Sequence, residues 1–148
     1  MYRHILIPTD GSVTAAKAVA AGTEYAREAG AKVLFFTALP EYPIPRESEV
    51  MAHHPVKSVF EYEEEAAVKA RAILDRAAVR AKADKIDFET DFALCDRPYE
   101  AIISAAKKHG CDAIFMSSHG RSGVPAFWYG SQTHEVLAHT DIPTLVYR

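Results

Sequence analysis

The sequence predicts an α/β fold, a parallel sheet with helices on both faces. Three observations carry that prediction. Short apolar runs of strand length recur along the chain, as in His4–Pro8, Val33–Phe36 and Ala113–Met116. Between them lie segments with the i, i+3, i+4, i+7 spacing of a helix buried along one stripe. The resulting order, β-α-β-α-β-α-β-α-β, is that of parallel strands joined by helical crossovers. Right-handed crossovers leave two common doubly wound strand orders, 2-1-3-4-5 and 3-2-1-4-5.

Taken in order, the run HILIP (His4–Pro8) is the first strand, ended by the turn-prone Thr9-Asp10-Gly11-Ser12. Asp10 or Ser12 can cap the next helix, since a side-chain oxygen there accepts an otherwise unpaired backbone N–H. Ala18, Ala21, Gly22, Tyr25, Ala26 and Ala29 form its inward stripe, and Gly30 ends it in the left-handed conformation a glycine adopts without a Cβ clash. A face made mostly of alanine lets a helix lie very close to the sheet it covers. Val33–Phe36 then reads as a strand buried on both faces.

Residues 40–57 contain Pro40, Pro43, Pro45 and Pro55 and keep no period, so they are expected to form a long loop, with freedom to move. A long helix follows from about Ser58. Glu61, Glu63, Glu64 and Glu65 sit at its positive end, a solvated start in preference to a partner patch. Its inward stripe is Ala66, Ala70, Ile73, Leu74, Ala77 and Ala81. Phe88–Leu94 alternates weakly, as an edge strand does. Pro98 opens the next helix at a position where its missing N–H costs nothing. Tyr99, Ile102, Ile103 and Ala106 face inward there, and Gly110 closes it. Ala113–Met116 is the fourth strand, Ser131–His139 a short helix with Val136 and Leu137 inward, and Pro143–Tyr147 the last strand.

The chain has 148 residues, 49% hydrophobic and 25% charged, which suits one ordered domain over 1–148. A net charge of −3 offers no basic field, so neither nucleic acid nor an anionic membrane is an expected partner. No apolar run approaches the length of a membrane span. The apolar stretch of MYRHILIPTDGS breaks at Pro8 and Asp10, unlike a signal-peptide core, and a cytoplasmic location is expected. Cys95 and Cys111 are too few for a disulfide framework, and with His109 they do not follow a zinc-ligand spacing.

In doubly wound sheets, ligands bind beyond the carboxyl ends of the strands where the winding reverses. For the order 3-2-1-4-5 that point lies between strands 1 and 4. The loops meeting there are Pro8–Ser12 and Ser117–Ser131, also the two most distinctive segments of the chain. In the second, Gly120 and Gly123 permit close backbone approach, and consecutive N–H groups can form an anion nest. Gly130-Ser131 opens a helix whose free N–H groups favour phosphate, and Arg121 can add a charged bond. No GxxxxGK[ST] is present, so P-loop NTPase chemistry is unsupported. Ser118-His119 lacks a G-x-S-x-G elbow and reads as loop or phosphate contact, not a nucleophile and its base. Asp10 reads as cap or nucleoside contact, not as a phosphoacceptor. His53-His54 reads as loop. Phe127-Trp128-Tyr129 reads as core edge or dimer contact.

From ILIPTDGS to IPTLVYR the chain resembles single-domain universal stress proteins. The nucleotide-binding members of that family carry G-x2-G-x9-G-[ST] after strand 4. Here Ser117-x2-Gly120-x9-Gly130-Ser131 keeps every spacing, with serine for the first glycine. The resemblance implies a Rossmann-like three-layer α/β/α sandwich of the adenine nucleotide alpha hydrolase type, its five-stranded parallel sheet ordered 3-2-1-4-5. It also implies a homodimer, through the C-terminal strand, and ATP or a related adenine nucleotide as ligand. On that basis Pro8, Thr9 and Asp10 line the base and ribose, while Ala38 offers backbone bonds to the adenine edge. Met116, Ser117, His119, Gly120, Arg121, Gly130, Ser131, Gln132 and Thr133 surround ribose and phosphates. Mg²⁺ would enter through the phosphates. The family often has Gly-x-Pro before the third long helix, and here Asp96-Arg97-Pro98 puts a negative charge near the site mouth. No general base is placed for water attack, so at most slow ATP hydrolysis is expected. The other reading is a dimeric interaction protein of the same family that binds no nucleotide.

Overall fold

The central strand is covered on both sides, and the packing of its neighbours follows from that. The structure, a computed structural model, describes residues 1–53, 55–118 and 131–148. Its order is β1 (His4–Pro8), α1 (Val13–Ala29), β2 (Lys32–Leu39), α2 (Glu47–Met51), α3 (Val59–Ala83), β3 (Phe88–Leu94), α4 (Pro98–Lys108), β4 (Ala113–Ser117), α5 (Ser131–His139) and β5 (Thr144–Tyr147). The five strands form one parallel sheet in the order β3-β2-β1-β4-β5, which selects between the two windings open from the sequence.

Alternation along the strands sorts the core into two layers. Ile5, Ile7, Val33 and Phe35 point to one face and meet Val19 and Ala26 of α1 and Leu74, Ala77 and Ala81 of α3. Leu6, Leu34, Phe36 and Ala38 point to the other and meet Ile102 and Ala106 of α4 and Val136 of α5. The small-residue face of α1 brings it hard against the sheet. A Cβ on Gly22 would stand 2.8 Å from both Ile7 Cδ1 and Phe115 Cδ1. Thr23, fully buried on the same face, donates its hydroxyl to Val19 O at 2.7 Å.

Helix ends match local signals. Ser12 caps α1, its Oγ accepting from Ala15 N at 3.1 Å, and Asp10 Oδ1 in turn accepts from Ser12 N at 2.8 Å. Gly30 closes the helix with φ 65°. Ser58 caps α3, and the Glu61 carboxylate returns to Ser58 N at 2.8 Å.

Three details depart from expectation. The 40–57 segment is not loop throughout, because α2 forms inside it. None of the residues of α2 is buried, and a local bond from Arg46 N to Glu49 Oε2 at 2.8 Å helps hold it, so no apolar period marks it. The second strand extends beyond Val33–Phe36 to Lys32–Leu39, with seven of its residues buried. Leu137 is 50% exposed, not inward. It lies about 100° around α5 from Val136, and only the Val136 side of that short helix meets the sheet.

The two sheet edges differ. On β3, Lys32 Nζ reaches Glu89 Oε1 at 2.6 Å, Lys108 Nζ reaches Asp91 Oδ2 at 3.1 Å, and the His109 ring lies between Glu89 and Asp91 at 3.0 and 2.8 Å. Charges of this kind discourage strand addition. Edge strand β5, by contrast, runs Thr144-Leu145-Val146-Tyr147, with no charged residue.

At the start of the sheet, Asp112 accepts Arg3 N at 2.9 Å and His4 N at 3.0 Å. Burial pushes this carboxyl up, but the N–H groups of His4 and Arg3 outweigh it and hold its pKa below the usual value. A carboxylate with a depressed folded pKa stabilises the fold above its unfolded pKa of about 4, and that stability disappears as pH falls through the folded value. In urea titrations, wild type should therefore exceed Asp112→Asn in stability at pH 7, with the gap narrowing steadily below about pH 4. Gly22→Val should destabilise the protein by roughly 1–3 kcal/mol, as overpacking against Ile7 and Phe115 outweighs the gain in helix propensity, measured by the same titration.

Candidate functional site

The winding reverses at β1. Its crossover through α1 leaves on one face, whereas the crossover from β4 through α5 leaves on the other. Strand β1 pairs with β2 along all five of its residues, from His4↔Lys32 to Pro8↔Phe36, but with β4 only at Ile5↔Ala113 and Leu6↔Ile114. Beyond Leu6 the ends of β1 and β4 carry no ladder between them. This is the crevice in which a doubly wound sheet takes a ligand.

The β1 side of the crevice is tied down by hydrogen bonds. Thr9 N donates to Phe36 O at 2.8 Å, continuing the β2 ladder past Pro8. Thr9 is 3% exposed, and its Oγ1 accepts Gly11 N at 3.2 Å. Gly11 turns the chain with φ 77°, a conformation that disfavours any side chain. Asp10 is half-buried, with Oδ1 occupied by Ser12 N. On the α4/α5 face, Ala38 and Met116 belong to one buried cluster, both without exposure.

On the β4 side, Ser117 is the last residue of the strand and is buried. Its φ is not positive, so a Cβ is no strain at the position where the family motif has glycine. Ser118 N donates to Tyr147 O at 2.8 Å, keeping β4 and β5 together to their ends. Thr133, buried in the first turn of α5, donates Oγ1 to Ser117 O at 2.8 Å and fixes the start of that helix over the end of β4. Gln132 Oε1 accepts Tyr99 N at 2.9 Å, tying the first turns of α4 and α5 together. This carbonyl satisfies an N–H that α4 cannot satisfy internally. Arg97 Nη1 bonds Glu100 Oε1 at 3.0 Å, so its charge is directed there and not to Asp96.

Of the residues named from the sequence, Pro8, Thr9 and Asp10 thus stand at one lip. Met116, Ser117, Ser131, Gln132 and Thr133 stand at the other, and Ala38 lies beneath on β2. His119, Gly120, Arg121 and Gly130 lie outside the described residues, as do His54 and Phe127-Trp128-Tyr129. Sequence reading missed the staples, Gln132 to Tyr99 N and Thr133 to Ser117 O, because contacts 33 and 16 residues apart leave no local pattern.

Burial pushes the Cys95 thiol up to about 11 and the Cys111 thiol up to about 12, so both are protonated at neutral pH and poor nucleophiles. Among the described residues no group of three His, Cys, Asp or Glu side chains could hold a metal ion. No described helix is long and apolar enough to cross a membrane.

A helix start such as that of α5 leaves N–H groups without intrahelical partners, which is the general chemistry of an anion site. Comparison with known proteins bears on this arrangement. The model of the Universal stress protein family matches residues 1–148. A universal stress protein of Thermus aquaticus, described as lying in the QAH/OAS sulfhydrylase 3' region, is 33% identical over 153 residues, covering all of both chains. Among solved structures, protein MJ0577 of Methanocaldococcus jannaschii matches with a TM-score of 0.75 and 25% identity, over 99% of this chain and 95% of that one. A universal stress protein in complex with cAMP matches at 0.69 with 21% identity, over 99% and 97%. An Archaeoglobus fulgidus universal stress protein in complex with dAMP matches at 0.66 with 17% identity, over 99% and 98%. The chain belongs to the universal stress protein family.

Proposed function

We propose that this protein is a stress-response regulator that binds ATP or a related adenine nucleotide in the β1/β4 crevice. The observation that carries this reading is the parting of β1 and β4 beyond Leu6 and Ile114, with α5 pinned at the end of β4 by Thr133. Two relatives of the same fold are complexes with cAMP and dAMP, which favours an adenine nucleotide over other anions.

In this reading Pro8, Thr9 and Asp10 line the base and ribose, and the backbone of Ala38 meets the adenine edge. Met116, Ser117 and the sequence motif through His119, Gly120, Arg121, Gly130 and Ser131 surround ribose and phosphates. The carbonyl of Gln132 and the hydroxyl of Thr133 already serve the scaffold, so their part is to position the start of α5. The residues present suit a nucleotide carrying Mg²⁺, because that ion enters chiefly on phosphate oxygens and needs few protein ligands. It would neutralise phosphate charge there. The protein acts as a cytoplasmic homodimer in this proposal, paired through β5, whose uncharged edge leaves Val146 and Tyr147 each 37% exposed.

Nucleotide released on denaturing the purified protein, and the thermal shift given by ATP–Mg²⁺, test the reading. Adenine nucleotide in the supernatant, or a Tm rise of several degrees at saturating ATP–Mg²⁺, is expected. Neither appearing would overturn it in favour of a non-binding, dimeric interaction protein. Gly130→Asp should remove the shift by placing an anion immediately before α5, where aspartate itself is a favourable helix cap. Ser117→Gly should leave affinity equal or higher. A marked loss would make its hydroxyl a ligand contact.

A further inference from the structure

A second cavity lies on the opposite face of the sheet, in the cleft between α1 and α3. Its volume is about 320 Å³, near the lower end of small-molecule sites. Val13, Ala16 and Ala20 of α1 form one wall, and Ile73, Ala77 and Val79 of α3 form the other. The rim is apolar and open, with Val13 79% and Val79 63% exposed. Two arginines line it. Arg80 is committed, paired with Glu24 and with Asp84. Arg76 makes no ion pair among the described residues, and segment 119–130, which lies outside them, contains no acidic residue.

Arg76 is exposed, and its guanidinium lies against the Gly11 turn among the residues that line the cleft. A Cβ on Gly11 would stand 3.2 Å from Arg76 Nη2 and 3.2 Å from Ile73 Cγ1. The backbone N–H groups beside it are already occupied, Gly11 N by Thr9, Ser12 N by Asp10 and Ala15 N by Ser12. An anion entering here therefore meets the arginine rather than the N–H groups of Gly11, Ser12 or Ala15. Its remaining body meets hydrocarbon.

We infer that the α1/α3 cleft is a binding site for a medium-chain carboxylate, whose acid group pairs with Arg76 while its chain covers Val13, Ala16 and Val79. Charge complementarity fixes the sign of the ligand, and the apolar walls fix its body. The volume is too small for a partner helix with side chains, about 10 Å across, and suits a single chain of this size. The site is separate from the β1/β4 crevice, although Thr9 borders both, and it stands whether or not a nucleotide binds.

Octanoate added to the full-length, isotope-labelled protein is the test, followed by backbone amide shifts. Saturable shifts at Gly11, Ala16 and Val79 are expected, with affinity in the roughly millimolar range of so small a ligand. Arg76→Gln should weaken octanoate binding by roughly fivefold or more, and octanol should bind wild type correspondingly less well. Ala16→Phe, which fills the cleft from an exposed position, should abolish the shifts without changing Tm. No saturable shift by about 20 mM octanoate, well above the affinity expected for its size, would overturn the inference. So would equal binding of octanol, or unchanged binding in Arg76→Gln.

Discussion

The carboxylate of Asp112 accepts the backbone N–H groups of Arg3 and His4, and Asp112 N returns a bond to His4 O at 2.9 Å. That exchange sets β1 beside β4 at the base of the sheet, in the register Ile5↔Ala113. From there the two strands are drawn apart, because β1 leads into α1 on one face and β4 leads towards α5 on the other. A strand pair closed at its base and divided at its top by opposite crossovers must leave a gap at the carboxyl end. The candidate site is that gap. Its position follows from covering a fully buried central strand on both sides, before any ligand is considered.

The same requirement explains the alanine-rich helices. With Ile5, Leu6 and Ile7 all at zero exposure, each face of β1 needs a helix within direct contact. On α1 this is met by Ala15, Ala18, Gly22 and Ala26, which bring helix backbone close to Ile7 and Phe115. Small residues bury little area each, so stability has to come from the large strand residues they cover, Phe35 and Phe36 among them. Where the two helices diverge from one another the same small side chains leave a void. Ala16 and Ala20 facing Ala77 cannot fill the α1/α3 cleft.

Strands and helix ends were legible in the sequence where the deciding forces are local or periodic, whereas these left two windings open and only the family resemblance pointed to 3-2-1-4-5. Ser12, Gly30 and Ser58 announce helix ends because each satisfies, or turns away from, backbone groups within a few residues. Lys32–Leu39 was read four residues too short, since Thr37 and Ala38 break an apolar run that is nevertheless fully buried between two helix layers. Helix α2 was hidden for the opposite reason: a capping bond holds it, and no core does. At the crevice, the residue types on β1 and at the start of α5 were readable from their motifs. The bonds that assemble them, Thr9 to Phe36 O, Thr133 to Ser117 O and Gln132 to Tyr99 N, join parts of the chain that only the folded topology brings together.

The net charge of −3 constrains how an anion could be held at all. No long-range field gathers phosphate or carboxylate to this surface, so attraction has to be local and short, from backbone N–H groups or a single guanidinium. At the β1–α1 turn the N–H groups of Gly11, Ser12 and Ala15 are consumed internally by Thr9, Asp10 and Ser12. Those three N–H groups are therefore not open to an anion, and a phosphate bound in the crevice, as proposed, would be met mainly from the β4–α5 side. Their internal use equally leaves Arg76 as the source of positive charge behind the turn. The four-residue bend Thr9 to Ser12 thus stands between the β1/β4 crevice and the α1/α3 cleft, so a ligand in either proposed site would press on the same short set of hydrogen bonds.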